Sequence, residues 1–339
     1  MKKITYLFNG RFPTEKAHGG QIAKMCEAFA SQGIAVELVV PHRRNTIRED
    51  APTYYGIKKN FAIKHVWAID PMLYIPERLA NAIQTITSSV SFLWYLMRHQ
   101  SEVWYARDHA SLLLLSYFGR PYIAELHDYR LARPRWWMRR ILKKARFVIL
   151  NSEGTRSLLA DHYPDITKAF VAPNGVDLAF FDIPETREQA RDILHLPQDK
   201  IIIGYVGRLE VAGKDKGVSM LKEAFESMKL RDRAELLLVT SVSYKQVPLN
   251  LRAIDIAVIP FPGVRHAKTT SPIKLFQYMA AGKAIVVADG PDPEQLARKL
   301  DELVLNPERI KTLGIKAHED ARNHTWDQRA KHILNRIQS

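Results

Sequence analysis

Short apolar runs alternate with longer segments of helical periodicity along most of this chain. The runs are rich in Val, Ile, Leu and aromatic residues, and prolines such as Pro41, Pro121 and Pro173 lie at the joints. Apolar strands separated by helices are typical of parallel sheets with crossover helices, so the pattern predicts an α/β fold. The predicted strands are Ile4–Phe8, Ala35–Val40, Phe61–Val66, Val103–Ala106, Tyr122–Glu125, Phe147–Leu150, Ala169–Ala172, Ile201–Val206, Glu235–Thr240, Ile254–Pro260 and Ala284–Ala288.

One polar stretch interrupts this alternation. Residues 182–200 contain two prolines and no sustained strand pattern, which predicts a linker between two domains. The length of 339 residues also suits two domains better than one ordinary core. We expect an N-terminal domain over 1–180, a linker over 181–200 and a C-terminal domain over 201–322. An amphipathic helix with Ile333, Leu334 and Ile337 on one face is predicted within the last part, 323–339.

Composition restricts the class of protein. Apolar residues make up 46% of the chain and charged residues 25%, which is typical of a soluble globular protein. The single cysteine, Cys26, excludes a disulfide framework and a cysteine-based zinc site, and fits a reducing compartment. Met1 to Lys3 lead directly into a strand rather than into a secretory signal, so we expect a cytoplasmic protein. The apolar stretch Ile83 to Met97 is interrupted by polar residues and is shorter than the ~20 residues of a membrane span; it predicts a long helix buried in a domain.

Two phrases in the second half predict a site for a diphosphate. GYVGRLEVAGKDKG (204–217) runs from an apolar strand into a glycine turn that contains Arg208, and Lys216 precedes the next helix. SPIKLFQYMAAGKAIVVAD (271–289) begins a helix that carries Lys274 and Gln277 in its first turns. Fixed cations beside the N–H groups of a helix N-terminus are what a diphosphate requires. Because both phrases follow predicted strands, they are expected to meet at the carboxyl edge of one sheet.

The order of these phrases and several others resembles glycosyltransferase family 4, whose members are retaining enzymes with the GT-B fold. The other phrases are FPTEKAHGGQIAKMCEAFASQGIAVELVVP, AELHDYR, VILNSEGTRSLL and VAPNGVD. The resemblance covers most of the chain. It implies two Rossmann-like domains that face a cleft. It also implies transfer of a sugar, with retention of configuration, from a nucleotide-sugar donor such as a UDP- or GDP-sugar to a glycan, lipid-linked or small-molecule acceptor.

The resemblance also implies roles for single residues in the first domain. His127, in ELHD, matches a histidine that contacts the donor sugar and is needed for transfer; its alternative is a structural histidine. Gly19 and Gly20 match a glycine pair that lets the backbone approach a phosphate or the reacting sugar. The alternative for this pair is a tight turn between the first strand and helix.

In the second domain the resemblance assigns the donor diphosphate to two cations. Arg208 and Lys216 match them, and can neutralise the charge that develops on the leaving group; the alternative is a solvated turn with surface charges. No Asp-x-Asp motif follows a strand, so we predict transfer without a metal and no cofactor. The expected catalytic residues are His127, Arg208 and Lys216. The expected donor-binding residues are Gly19, Gly20, Gly207, Arg208, Lys216, Thr270, Ser271, Pro272, Ile273 and Gln277.

The sequence departs from the family pattern at two places. The family's Glu-x7-Glu pair falls on Thr269 and Gln277, so neither carboxylate is present. Gln277 can still accept a hydrogen bond from a ribose hydroxyl, but without the charge of a glutamate. The segment after Thr240 and the segment after Asp289 are also short, which predicts a shortened second domain. A catalytically weak or inactive nucleotide-sugar-binding protein is therefore the alternative function.

The segment from Tyr129 to Arg146 contains eight basic residues and no acidic one, within a chain of net charge +14. Helical spacing places Met138 and Ile141 inward and Trp136 among the cations. Such a helix suits an anionic membrane surface, for example the inner face of the plasma membrane, and equally suits an ordinary solvated face. Nucleic acid is a weaker candidate partner, because no recognised nucleic-acid module accompanies the charge.

Overall fold

The structure is a computed structural model of the chain. It describes residues 1–127, 135–207, 210–211, 214–240, 242–261, 271–288 and 290–338, and for Glu210, Val211 and Lys214 only the backbone. Within these ranges, no helix is both long and apolar enough to cross a membrane. The chain forms two compact units. The first consists of 1–173 and 326–339, and the second of 174–325.

The first unit is built on a parallel sheet of seven strands in the order β3-β2-β1-β4-β5-β6-β7. Each strand was predicted from its apolar run, and the observed bounds differ from the predicted ones by at most one residue. The strands are β1 (Lys3–Leu7), β2 (Ala35–Pro41), β3 (Ala62–Val66), β4 (Val103–Ala106), β5 (Tyr122–Leu126), β6 (Phe147–Leu150) and β7 (Ala169–Val171). The helices are α1 (Ala17–Ser31), α2 (Ala51–Tyr55), α3 (Glu77–Arg98), α4 (His109–Phe118), α5 (Trp136–Lys144), α6 (Glu153–His162) and the last helix, α14 (Trp326–Gln338).

Helices cover both faces of this sheet, which explains the near-continuous apolar strands. On one face α1 and α14 pack on the sheet, and on the other face α3, α4, α5 and α6 do so. The predicted terminal helix contributes Ile333, Leu334 and Ile337 to the first of these cores, as its amphipathic pattern predicts.

The prediction that the apolar stretch Ile83 to Met97 is buried was wrong in part. The stretch lies in α3, but the buried side of this helix includes Gln84 and Ser88, and much of its apolar side is exposed. Gln84 Nε2 and Ser88 Oγ both donate to Asn9 Oδ1, at 2.8 Å each. These two polar side chains are buried with their hydrogen bonds satisfied, and they hold the loop that follows β1.

The second unit is built on a smaller parallel sheet of four strands in the order β11-β8-β12-β13. Its small size agrees with the shortened domain that the sequence predicts. The strands are β8 (Ile201–Val206), β11 (Ala234–Val239), β12 (Ile256–Pro260) and β13 (Ala284–Ala288), with a short antiparallel pair, β9 (Glu210–Val211) and β10 (Lys214–Asp215). The helices are α7 (Leu178–Phe181), α8 (Arg187–Ile193), α9 (Val218–Glu226), α10 (Val247–Ala253), α11 (Ile273–Ala280), α12 (Pro293–Val304) and α13 (Pro307–Ala321).

The segment predicted as a linker, 181–200, lies within the second unit. It contains α8, whose N-terminus is closed by a capping box between Thr186 and Gln189. Arg191 of this helix is fully buried and forms an ion pair with Asp255. This ion pair holds the segment against the amino end of β12, which begins one residue after Asp255.

Candidate functional site

Each sheet has one place where the strand order reverses. In the first unit the chain leaves β1 towards β2 and β4 towards β5, so the loops after β1 and β4 diverge. In the second unit the chain leaves β8 towards β11 and β12 towards β13. The crevice outside the carboxyl ends of two such strands is where open α/β sheets bind ligands. Each unit therefore offers one candidate binding crevice.

The crevice of the second unit contains Lys274, which belongs to the second phrase of the predicted diphosphate site but was not among the expected donor-binding residues. Its Nζ lies 3.5 Å from the centroid of the Tyr205 ring, near the end of β8. A Cβ atom on Gly207 would lie 2.6 Å from Cε and Nζ of Lys274, so glycine leaves room for this side chain. Burial, and then the charge of Lys216, lower the pKa of Lys274 to about 7. Two cations close enough to interact in this way can together bind an anion.

Lys216 precedes α9, as predicted, and Gly217 caps that helix. Gly217 has φ +87, and a Cβ atom there would lie 2.5 Å from the carbonyl oxygen of Pro260. Only glycine meets both demands, which brings the start of α9 against the end of β12. Asp215 accepts hydrogen bonds from the N–H groups of Val218 and Ser219. The turn that carries Lys216 is thus held at both sides.

The start of α11 is also held in place. Asn174 donates from its backbone N–H to Ser271 Oγ, at 3.1 Å, and from Nδ2 to the Ser271 carbonyl oxygen, at 2.6 Å. Pro272 is the N-cap residue and Ile273 begins the helix. The Tyr278 hydroxyl, one turn further, accepts a hydrogen bond from Val206 N at 3.0 Å. These contacts fix the helix that carries Lys274 against the end of β8.

Gln277, predicted to bind ribose, has a protein partner in the structure. It forms a hydrogen bond with Tyr244, whose ring stacks on Phe180 with the centroids 4.5 Å apart. Burial, and then the charge of Asp177, raise the pKa of Tyr244 to about 12. A ribose hydroxyl would have to compete with Tyr244 or share Gln277 with it.

Three residues named from the sequence lie outside the described residues: Arg208, Thr269 and Thr270. The same holds for residues 129–134 of the basic segment. Their roles stay predictions from the sequence.

In the first unit His127 follows β5 and is bonded to a buried carboxylate, Glu125. His127 Nε2 and the Tyr105 hydroxyl each form a hydrogen bond with Glu125, and Arg329 Nη2 of α14 lies 2.9 Å from Glu125 Oε1. The Arg329 guanidinium also donates to the carbonyl oxygens of Ala172 and Pro173. Burial alone would raise the pKa of Glu125, but Arg329 and His127 together hold it well below its usual value of 4.5. Glu125 is therefore a charged carboxylate near neutral pH.

This carboxylate fixes the tautomer of His127. Burial, and then the nearby Arg107, lower the pKa of His127 to about 4 although Glu125 opposes the shift. A neutral imidazole beside a carboxylate carries its proton on the nitrogen that faces it, here Nε2. Nδ1 of His127 is left as a hydrogen-bond acceptor. The sequence had suggested His127 alone, and the structure adds Glu125 and Arg329 behind it.

Arg107, at the carboxyl end of β4, is a second residue that the sequence did not identify. Its Nη1 donates to Gln21 Oε1 of α1 at 2.8 Å. It lowers the pKa of His127 and also that of His18, which burial and then Arg107 bring to about 4. Arg107 therefore supplies positive charge at the crevice between β1 and β4.

The prediction that Gly19 and Gly20 lie in a turn before the first helix was wrong, because both lie in the first turn of α1. A Cβ atom on Gly19 would lie 2.1 Å from the Tyr55 hydroxyl. This hydroxyl accepts a hydrogen bond from Thr14 N and donates one to the Thr14 carbonyl oxygen. Packing alone therefore requires glycine at this position. A Cβ atom on Gly20 would make only an ordinary contact at 3.7 Å. Packing therefore does not require glycine at the position of Gly20.

Replacing Arg107 by glutamine is expected to raise the pKa of His127 towards its usual value of 6.5, because the cation with the largest opposing effect is removed while Glu125 stays. NMR titration of the histidine signals measures this shift. Arg120→Gln, at the far end of β5, is the matched control and leaves the His127 signal unchanged. A His127 pKa that stays at about 4 in Arg107→Gln would show that burial alone sets it.

The described part of the basic segment forms α5, with Met138, Ile141 and Leu142 buried and Trp136 exposed, as its spacing predicts. Some of its basic side chains form ion pairs with an acidic residue. Asp165 lies 2.9 Å from Arg139 Nη1 and 3.1 Å from Lys143 Nζ. Two of the eight cations thus have an acidic partner that is distant in sequence, which lowers the net charge that this face presents.

Among the residues that the structure describes, no group of three or more His, Cys, Asp or Glu side chains is placed to hold a metal ion.

Comparisons with known proteins agree on the fold. Residues 21–180 match the family described as Glycosyltransferase Family 4. Sucrose-phosphate synthase from Thermosynechococcus elongatus superposes with a TM-score of 0.76 at 16% identity, over 99% of this chain and 98% of that one. A glycosyltransferase from Rickettsia africae ESF-5 gives 0.71 at 14% identity, over 99% and 98% of the two chains. HepE of Anabaena, solved with UDP-glucose, gives 0.66 at 14% identity, over 99% and 100%.

These structural likenesses show that the chain has the GT-B fold. No curated protein sequence matches the chain.

Proposed function

We propose that this chain, which belongs to glycosyltransferase family 4, is an enzyme that transfers a sugar from a nucleotide-sugar donor with retention of configuration. The observation that carries the proposal is the pair Lys216 and Lys274 at the ends of β8 and β12. Burial, and then the charge of Lys216, lower the pKa of Lys274 to about 7, and a bound diphosphate would supply the negative charge that stabilises its ammonium. The UDP-glucose complex of HepE, a chain of like fold, supports the choice of ligand class.

In this proposal the donor diphosphate lies over the glycine turn after β8. Lys216 and Lys274, with Arg208 from the sequence, would balance the charge that collects on the diphosphate when the glycosidic bond breaks. The acceptor hydroxyl attacks the anomeric carbon from the face that the diphosphate leaves, and the departing phosphate oxygen takes up the hydroxyl proton. No protein nucleophile and no metal is required for such a step.

His127 would contact the sugar as a neutral hydrogen-bond acceptor. Because Nε2–H of His127 donates its hydrogen bond to Glu125, Nδ1 is the nitrogen that can accept from a sugar hydroxyl. With a pKa of about 4, His127 stays uncharged at neutral pH, and we therefore assign it to orientation rather than to proton transfer. The acceptor class proposed is a glycan, a lipid-linked molecule or a small molecule.

The alternative is a binding protein with little or no catalytic activity. The hydrogen bond between Gln277 and Tyr244 favours it, because the side chain expected to hold the ribose already has a partner. A panel of UDP-, GDP- and ADP-sugars separates the two functions. Thermal stabilisation by one donor together with release of its nucleoside diphosphate supports the enzyme, and stabilisation without any release supports the binding protein. Stabilisation by none of them contradicts both.

Activity with the donor found in this way is expected to survive EDTA, since Lys216 and Lys274 take the place that a divalent cation would have beside the diphosphate. Initial rates with EDTA and with added Mg²⁺ or Mn²⁺ measure this, and they should agree closely. Loss of turnover on chelation, restored by either cation, would contradict the proposed charge balance.

A further inference from the structure

The outer face of α3 is apolar although it is exposed. At 100° per residue its exposed apolar side chains fall on one stripe that runs nearly the whole length of the helix. They are Leu79, Ile86, Val90, Leu93, Trp94 and Met97, with exposed fractions between 36% and 64%. Contiguous apolar surface of this kind on a soluble domain marks an interaction site rather than a neutral surface.

The apolar stripe continues into the loop between β3 and α3. Trp67, Leu73 and Tyr74 of this loop are 63%, 74% and 71% exposed. The loop is held by a hydrogen bond from Ile69 N to Thr87 Oγ1 of α3, at 3.1 Å. Because it follows the carboxyl end of β3, the apolar surface begins at the sheet edge that carries the candidate site of this unit.

Arginines stack on exposed aromatic rings at the margins of this surface. The guanidinium of Arg98 lies 4.5 Å from the ring of Trp94, and that of Arg44 lies 5.3 Å from the ring of Tyr74. Arg140 of α5 lies 3.7 Å from the ring of Tyr117, which is on α4, the helix that packs beside α3. An aromatic ring under a guanidinium suits the headgroup region of a bilayer, where the ring meets acyl chains and the cation meets phosphates.

We propose that the apolar stripe of α3 and its aromatic–arginine margins dock on the headgroup region of an anionic lipid bilayer. Charge decides between a bilayer and a second copy of this chain as the occupant. A second copy on the same face would bring arginines of like charge together, whereas lipid phosphates pair with them. The inference stands apart from the proposed transfer, since it depends on no residue of the donor site.

Flotation with vesicles tests this docking. The wild-type chain is mixed with vesicles of phosphatidylcholine alone or with added phosphatidylglycerol, and it is expected to float with the anionic ones. The variant Ile86→Gln/Val90→Gln/Trp94→Gln changes only exposed positions and is expected to bind roughly tenfold more weakly, since burial of apolar surface drives interfacial binding. Arg98→Gln/Arg140→Gln should lower binding to the anionic vesicles and leave little dependence on salt.

The matched control is Leu305→Gln/Ile315→Gln, which removes exposed apolar side chains from the second unit and should float like wild type. Unchanged flotation of the α3 variant would overturn the proposal and leave the basic segment 129–146 as the membrane contact. So would a wild-type chain that ignores both vesicles, or that forms a dimer which the α3 variant dissociates. Nucleotide affinity of the α3 variant should equal that of wild type, so failure here leaves the proposed function untouched.

Discussion

Replacing Arg329 by methionine is expected to lower the free energy of unfolding by about 3–5 kcal/mol, because the charged Glu125 would remain buried without its main counter-ion. The pair is deeply buried, with 3% of the Arg329 side chain and 4% of the Glu125 side chain exposed. Urea denaturation near neutral pH measures the change. Turnover should fall as well, since Glu125 orients His127.

The dependence on pH distinguishes this ion pair from simple loss of packing. The folded state holds the pKa of Glu125 below its usual 4.5, so the pair stabilises the protein above that value and the contribution is lost as pH falls towards the lowered pKa. The difference between wild type and Arg329→Met should therefore shrink in acid. Arg336→Met, an exposed position on α14, is the matched control and should change stability by less than about 0.5 kcal/mol. A similarly small effect of Arg329→Met would show that its ion pair with Glu125 does not stabilise the fold.

Lys274→Met is expected to weaken binding of the nucleoside diphosphate by about 1.5–3 kcal/mol, the usual value of a hydrogen bond to a charged group. This corresponds to a loss of affinity of roughly 10- to 150-fold. Calorimetric titration with UDP, or with whichever diphosphate the donor panel selects, measures it. Lys222→Met, which removes an exposed lysine from α9, is the matched control and should bind like wild type.

The affinity of wild type should also fall as pH rises above about 7. Free Lys274 loses its proton near that pH, and a bound diphosphate stabilises the ammonium and raises the pKa, so binding takes up a proton. Lys274→Met should lose this dependence. Lys216→Ala should bind more weakly but keep the dependence at a higher pH, because Lys216 is one cause of the lowered pKa of Lys274. Equal pH profiles in all three proteins would show that Lys274 does not meet the diphosphate.

Apolar runs located the described strands well because a parallel strand covered by helices on both faces is apolar throughout. Motif order located the crevice of the second unit through Gly207, Lys216 and Ser271. The residues that were missed carry single charges inside or beside apolar runs, such as Glu125 within YIAEL and Arg107 after VWYA. A charge at the carboxyl end of a buried strand is the signal that could have identified both.

The side chains that act together are far apart in the sequence, and this limits what motifs can show. Arg329 reaches Glu125 across 204 positions, and Asp165 pairs with Arg139 across 26. Nothing in the basic segment itself reveals that Asp165 compensates part of its charge. From the sequence, Gln277 is likewise predicted to bind ribose, and only the structure shows its hydrogen bond with Tyr244.

The sequence by itself determined the α/β class, the strands of the two parallel sheets, the small second domain and the glycine and lysine turn at the start of α9, since each follows from local apolar pattern or local backbone demands. Only the tertiary structure decided which face of α3 is buried, which tautomer of His127 exists and that Lys274 lies beside Lys216. The physical reason is that burial and charge pairing depend on partners from other elements. Gln84 and Ser88 of α3 are inside because Asn9 meets them there, on the side of the helix that also buries Phe92, Tyr95 and Leu96, and the apolar stripe on the opposite side is exposed.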